Sequence, residues 1–477
     1  MIDATKKLNF EFVINTVLLI FSIVLVFYTL NYPFYWDNTV QISVPANWYY
    51  QTNFNFFYLP DSIATGHPTF VGMYFSFLWK FFGRSLMVSH LAMLPFIFGL
   101  LFQLHKFLRN VNIKNNLTVI LILAVIVFDA TFLSQLSLIT FDVIQLFFFF
   151  LCVNLILTDR NKVFAFCYII LMLISLRASI MAGGLLIFNI LFNYYYLNKK
   201  IKLSDYLKYI PGVVALFIFL LLFKINKGWV VHNTVSNNWE GSGSFASFYQ
   251  IMRNVGVFIW RLIDFGRVGV FAFFLFFIIK SAAIRKFQDD TLKILFLIIL
   301  TQFIVFFSII IVYQNPFGHR YLLSIIIPTF VLTVYWIRTY IKLPSLALAS
   351  VFVILISGHF WLYPLKISQG WDATTLHWKY FNVSEKMDDF IKENGIDKKE
   401  IATFFPNRAS RYLTHLEDDK NDVYSGVLFK NKYILYSNAF NITDEAIDSL
   451  YSKNKHWKLI KNYTDGRIFM SLFQKED

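Results

Sequence analysis

The sequence predicts an α-helical polytopic membrane protein with about eleven transmembrane helices, and a small α/β domain on the outer face at its C-terminal end. Of its 477 residues, 57% are hydrophobic and 15% charged, too little charge to cover a soluble surface of this size. Apolar runs of roughly 17–25 residues, each long enough to cross a bilayer, recur from residue 12 to about residue 362. Beyond that point Asp, Glu, Lys and Asn become frequent, and short helical and strand-like patterns alternate.

The spans fall at 12–31, 86–108, 116–133, 140–157, 163–176, 178–196, 207–224, 268–280, 291–312, 321–337 and 344–362. The first ends in Asn31-Tyr32-Pro33 with no small-residue cleavage site, so it reads as a retained helix. Pro68–Phe82 is apolar enough to cross though several residues short, but a crossing there would turn every later basic loop outward, so residues 32–85 read as one large outer loop carrying surface helices. Residues 225–267 combine a Gly/Ser/Asn-rich stretch (237–244) with an amphipathic approach helix. These elements make residues 1–362 a membrane domain and 363–477 a soluble one. In the latter, helices are expected at Ser384–Asn394 and Asp444–Lys453, with strands at Lys432–Tyr436 and Arg467–Phe473.

Charge sets the expected orientation. The net charge is +14, yet residues 363–477 hold 17 basic and 17 acidic residues, so the excess lies wholly in the membrane part. A basic excess confined to short loops is a topology signal and not a nucleic-acid footprint. With the N-terminus in the cytoplasm, 17 basic residues fall in short inner loops, among them Lys106, Arg109, Arg160, Lys199, Lys200, Arg285 and Lys286. Nine fall in the longer outer loops. An odd number of crossings then leaves the C-terminal domain outside. The two cysteines, Cys152 and Cys167, lie inside apolar runs and provide neither a disulfide framework nor a metal site.

Polar groups gather in the outer half: Asp37, Asp61, Asp129, Asp142, Glu240 and Asp264, with His67, His232, Arg177, His319 and Arg320. Charges at the ends of membrane helices are solvated, paired or used. Asp37, in Tyr35-Trp36-Asp37-Asn38, is either a helix-exit acid or a base placed to take a proton from a hydroxyl. Asp142 opens the fourth span, where capping and substrate orientation are both served by the helix dipole. Arg177, in the tight turn Ser175-Leu176-Arg177-Ala178, either snorkels to headgroups or grips a phosphate. Gly318-His319-Arg320-Tyr321 offers the same choice between interfacial anchoring and phosphate binding. His67 and Asp61 read as a satisfied polar group and a solvated loop acid, unless the fold brings them inward. No P-loop, GxGxxG, HExxH or CxxC pattern occurs.

An acid after the first helix, a His-Pro surface helix, an acid opening the fourth span and an Arg-Tyr near a late helix resemble the GT-C glycosyltransferases. The branch is that of protein O-mannosyltransferases and aminoarabinose transferases. The closest local stretch runs from Gly66-His67-Pro68-Thr69-Phe70 to Phe81-Phe82-Gly83-Arg84, and the resemblance covers residues 12–340. It implies a GT-C-like membrane domain and transfer of a sugar from a polyprenyl phosphate to an acceptor hydroxyl, with inversion and without a cofactor or metal. The acceptor is a lipid, a glycan or a protein. It further implies Asp37 as catalytic base and Asp142 as a positioning acid. Arg177, His319 and Arg320 would lie near the donor phosphate, with His67 and Asp61 at the cavity mouth. Two departures stand out: Asn38 replaces a common second acid, and Thr69 a common second proline. The rival reading is a flippase or other transporter of lipid-linked sugars, which should show mid-membrane charges or paired broken helices. The Phe/Ile/Lys/Asn-rich composition suits the plasma membrane of a bacterium.

Overall fold

The computed structural model describes residues 2–230, 244–284, 289–314, 317–367, 369–425, 430–451 and 457–476. His232, Glu240, Arg285 and Lys286, and most of the 237–244 stretch, lie outside the described residues. The membrane part is a bundle of helices. In chain order they are α1 (Ile2–Thr29), α2 (Val44–Gln51), α3 (Phe70–Phe82), α4 (Leu86–Asn110), α5 (Asn116–Val127), α6 (Ala130–Leu136), α7 (Phe141–Leu157) and α8 (Asn161–Ile174). Next come α9 (Leu176–Leu191), α10 (Ile210–Lys227), α11 (Phe248–Ile263), α12 (Val268–Ile284), α13 (Asp290–Ile310), α14 (Leu323–Tyr340) and α15 (Pro344–Ser357).

Every expected span coincides with a helix, but the helices differ in their fitness to cross. Six described segments are long and apolar enough by themselves: Asn9–Thr29, Leu86–Asn110, Leu176–Tyr196, Leu203–Lys227, Asp290–Ile310 and His319–Tyr340. Two further candidates are bent pairs, α5 with α6 at 76° and α11 with α12 at 104°, which brings the number to eight. Helices α7, α8 and α15 are apolar but shorter. The chain is therefore a multi-pass membrane protein with six to eight crossings by helix length and composition.

The bends have local causes. Asp129 caps α6, accepting from the Phe132 amide at 2.9 Å, and so divides the expected 116–133 span into two helices. Between α11 and α12, Phe265 and Gly266 both take positive φ, and a Cβ on Gly266 would strike the Ile354 carbonyl. Only glycine fits there. Helix α3 has thirteen residues, about 20 Å of rise. Its Val71, Phe75 and Trp79 are buried, whereas Phe77, Phe81 and Phe82 are exposed.

The C-terminal part contains α16 (His377–Glu393), α17 (Arg411–Thr414) and α18 (Asp444–Tyr451) beside a four-stranded sheet ordered β1-β2-β4-β3. The strands are β1 (Ile401–Ala402), β2 (Tyr433–Ser437), β3 (Trp457–Asp465) and β4 (Ile468–Lys475). Strands β1 and β2 are parallel and the other pairings antiparallel. Helix α16 begins seven residues earlier than the polar pattern suggested, because His377, Tyr380 and Phe381 form part of its buried face. The core of this part takes in Tyr35 and Leu138 from the membrane bundle. The expected border at residue 362 is thus crossed by a shared apolar cluster.

Burial of histidines makes this part sensitive to acid. Desolvation pushes His377 and His415 down to about 4, with the charge of Arg411 adding to the effect on His415. Between pH 6.5 and 4 the unfolded chain takes up protons that the folded one refuses, so stability falls with pH across that window. Glu417, held below its ordinary range by Arg411, loses stabilisation in the same direction. The melting temperature of the detergent-solubilised protein is expected to drop steadily from pH 7 to 4.5; a rise would contradict the burial argument.

Candidate functional site

The site is assembled where α1 ends, α7 and α14 begin, and the chain enters its C-terminal part. Phe34, Tyr35 and Trp36 hold the segment leaving α1 from both sides. Phe34 packs edge-on against Phe75 and Trp79 of α3, and its amide donates to the Thr414 carbonyl at 2.8 Å. Tyr35 stacks on His377, and Trp36 meets Phe405 with ring centres 4.8 Å apart. Trp36 has φ 57°, a conformation strained for a bulky side chain, and Asp37 follows directly.

Arg320 is the hub. Its Nη2 lies 2.5 Å from Asp37 Oδ2 and its Nε 3.1 Å from Asp142 Oδ2, while Nη1 pairs with Asp372. The two sequence-predicted acids therefore meet at one guanidinium. Arg177 Nη1 donates to Asp142 Oδ1 at 3.0 Å, and its guanidinium lies over the Tyr321 ring at 3.6 Å.

The acids differ in what remains free on them. The Asp142 side chain is 0% exposed, and both its oxygens are engaged: Oδ1 by Gln145 and Arg177, Oδ2 by Thr140 and Arg320. Gln145 is itself held by the Ser175 hydroxyl, at 3.1 Å. Asp142 is thus a fixed anchor. The Asp37 side chain is 35% exposed, and Arg320 is its one ion-pair partner among the described residues. Next to it Asn38 is fully buried, and no described residue bonds its side-chain amide.

The other predicted residues divide. His67 Nδ1 accepts from the Leu176 amide at 3.4 Å. Burial, then the charge of Arg177, pushes His67 down to about 4 against the pull of Asp37, so it is neutral at pH 7. It lies among the aromatic and aliphatic side chains of Phe57, Tyr58, Leu59, Phe219 and Phe223, in a shallow recess. Asp61 leaves the group, half exposed and paired with Lys227 at 3.2 Å. His319 faces away from its neighbour Arg320. Its Nε2 lies 2.6 Å from Asp264 Oδ2 and 3.1 Å from Arg261 Nη1, and Tyr363 donates to the other Asp264 oxygen. This second cluster continues through Arg267, which binds Asp129 at 2.7 Å and the Arg261 carbonyl at 3.0 Å. It is a buried ionic pillar behind the Arg320 hub.

Arg261, Arg267, Tyr363 and Asp372 carried no sequence signal that set them apart. Arg267 and Asp372 lie in segments read as an approach helix and a separate domain. Among the described residues no group of three or more His, Cys, Asp or Glu could hold a metal ion; the three acids here are bridged by a guanidinium. Fold and site together define a polytopic membrane protein with a buried charge cluster at the end that carries its C-terminal sheet. Comparison with known protein families, curated proteins and solved structures finds no match for this chain.

Proposed function

We propose that this protein is a membrane glycosyltransferase that moves a sugar from a polyprenyl phosphate to an acceptor hydroxyl on the extracytoplasmic face. What supports the reading most is the shared guanidinium. A partly exposed acid, Asp37, and an anchored acid, Asp142, meet at Arg320, with a second guanidinium beside them. The orientation is that of the loop charges, with eleven crossings and an inner N-terminus. The short helices α7, α8 and α15 complete that number.

The chemistry is a single displacement. The acceptor oxygen bonds to the anomeric carbon as its proton passes to Asp37. The anomeric C–O bond breaks, its electron pair leaves on the phosphate oxygen, and the centre inverts. Arg320 and Arg177 hold the charge that builds on the phosphate. Arg320 Nη2 occupies Asp37 Oδ2 at 2.5 Å, so the donor phosphate must draw Arg320 away before that oxygen can accept the acceptor's proton. Arrival of the donor thereby frees the base.

The purified protein, incubated with a panel of polyprenyl-phosphate sugars and candidate acceptors, is expected to release bare lipid phosphate from one donor. If no donor is consumed while a labelled one crosses the bilayer of proteoliposomes, the protein is a transporter.

A further inference from the structure

Asp372 poses a problem of charge. The hub holds three carboxylates, Asp37, Asp142 and Asp372, against two guanidiniums, Arg320 and Arg177. His67 is neutral at pH 7. Counted by formal charge, the cluster therefore carries −1, in a place proposed to receive an anion. An excess buried carboxylate is destabilising, and Arg320 already has two partners without it. Yet Asp372 is placed with care. Its carbonyl accepts from Ser134 Oγ at 2.7 Å and from Gln135 Nε2 at 2.6 Å. The next carbonyl, that of Ala373, accepts from Thr131 Oγ1 at 3.0 Å. Three hydrogen bonds to α6 thus fix the turn Trp371–Ala373 and aim the carboxylate, 5% exposed, at Arg320 Nη1. The carboxylate itself has no other described ion partner.

We propose that Asp372 is a positioning carboxylate of the donor-phosphate site, supplied by the C-terminal part of the chain. It tethers one edge of the Arg320 guanidinium while the other swings from Asp37 to the phosphate. Its charge also weakens the hold on the phosphate that departs. The inference rests on the transferase reading, in which a monoanionic phosphodiester enters and a phosphate monoester, dianionic once its last proton is lost, must leave. Once Asp37, 35% exposed, has passed the acceptor's proton on to solvent, the one excess negative charge penalises the dianion about twice as much as the monoanion, which favours release.

The test is binding of decaprenyl phosphate and of its methyl ester to the full-length protein in nanodiscs, for wild type, Asp372→Asn and Asp372→Glu. Wild type is expected to bind the dianion no more tightly than the methyl ester. Asp372→Asn is expected to bind the dianion on the order of tenfold more tightly, with lower kcat and lower KM. Asp372→Glu should stay near wild type. If Asp372→Asn binds the lipid phosphate equally or more weakly, the inference is overturned and the transferase reading survives. Should that variant fail to fold, wild type alone decides, since tenfold tighter binding of the dianion than of its ester also overturns the inference. If wild type binds neither lipid, the donor site itself is refuted, and Asp372 loses its proposed role with it.

Discussion

Asp37→Asn is expected to lower sugar transfer by a factor on the order of 10²–10⁴, the usual contribution of a positioned general base, while leaving the protein folded and inserted. The asymmetry follows from exposure. Asp37 is the one acid of the hub open to solvent, so loss of its charge leaves no buried group without a partner. Arg320 keeps Asp142 and Asp372, and the side-chain volume is unchanged. Asparagine still accepts a hydrogen bond from Arg320 but cannot take a proton from the acceptor. Wild-type and variant protein should therefore elute alike from gel filtration and melt within a few degrees of one another. Undiminished release of lipid phosphate by the variant would remove Asp37 from the role of base.

The same comparison of exposures explains which parts of the site could be read from the sequence. Loop charges assigned the ends of α1, α7 and α14 to one side, so Asp37, Asp142 and Arg320 were expected near one another, and they are. Asp372 was not legible. It lies 335 residues from Asp37 in a stretch with balanced charge, and only the docking of its turn on α6 brings it inward. His319 and Arg320 were expected to act together because they are adjacent. They occupy a single 3₁₀ turn, His319–Leu322, in which consecutive side chains diverge by about 120°. One side chain joins the rear cluster and the other the hub. Asp61, which reads from its own position as a solvated loop acid and only through the family resemblance as part of the cavity mouth, is half exposed and pairs with Lys227. Hydropathy located the helices well. It could not register the break at Asp129, because the capping carboxylate interrupts a run that stays apolar on both sides.

Arg320→Met should do the greatest damage of any single change in the site. Methionine roughly matches the length of the aliphatic stem but removes the charge, leaving Asp142 and Asp372 buried with less compensation or none. Breaking one side of a buried ion pair destabilises by about 3–5 kcal/mol. Arg177 stays on Asp142 and spares part of that loss, so Asp372 carries the larger share. Arg320→Lys keeps a positive charge but cannot address three carboxylates from Nε, Nη1 and Nη2 at once. It should fall between the two in stability and remain without measurable transfer. The decisive arrangement is a double-mutant cycle. Adding Asp372→Asn to Arg320→Met removes the stranded carboxylate, so the double variant should melt above Arg320→Met alone, though still without activity. Additive losses in the two variants would mean that the acid and the guanidinium act independently. In that case the hub would be an accident of proximity instead of one coupled group.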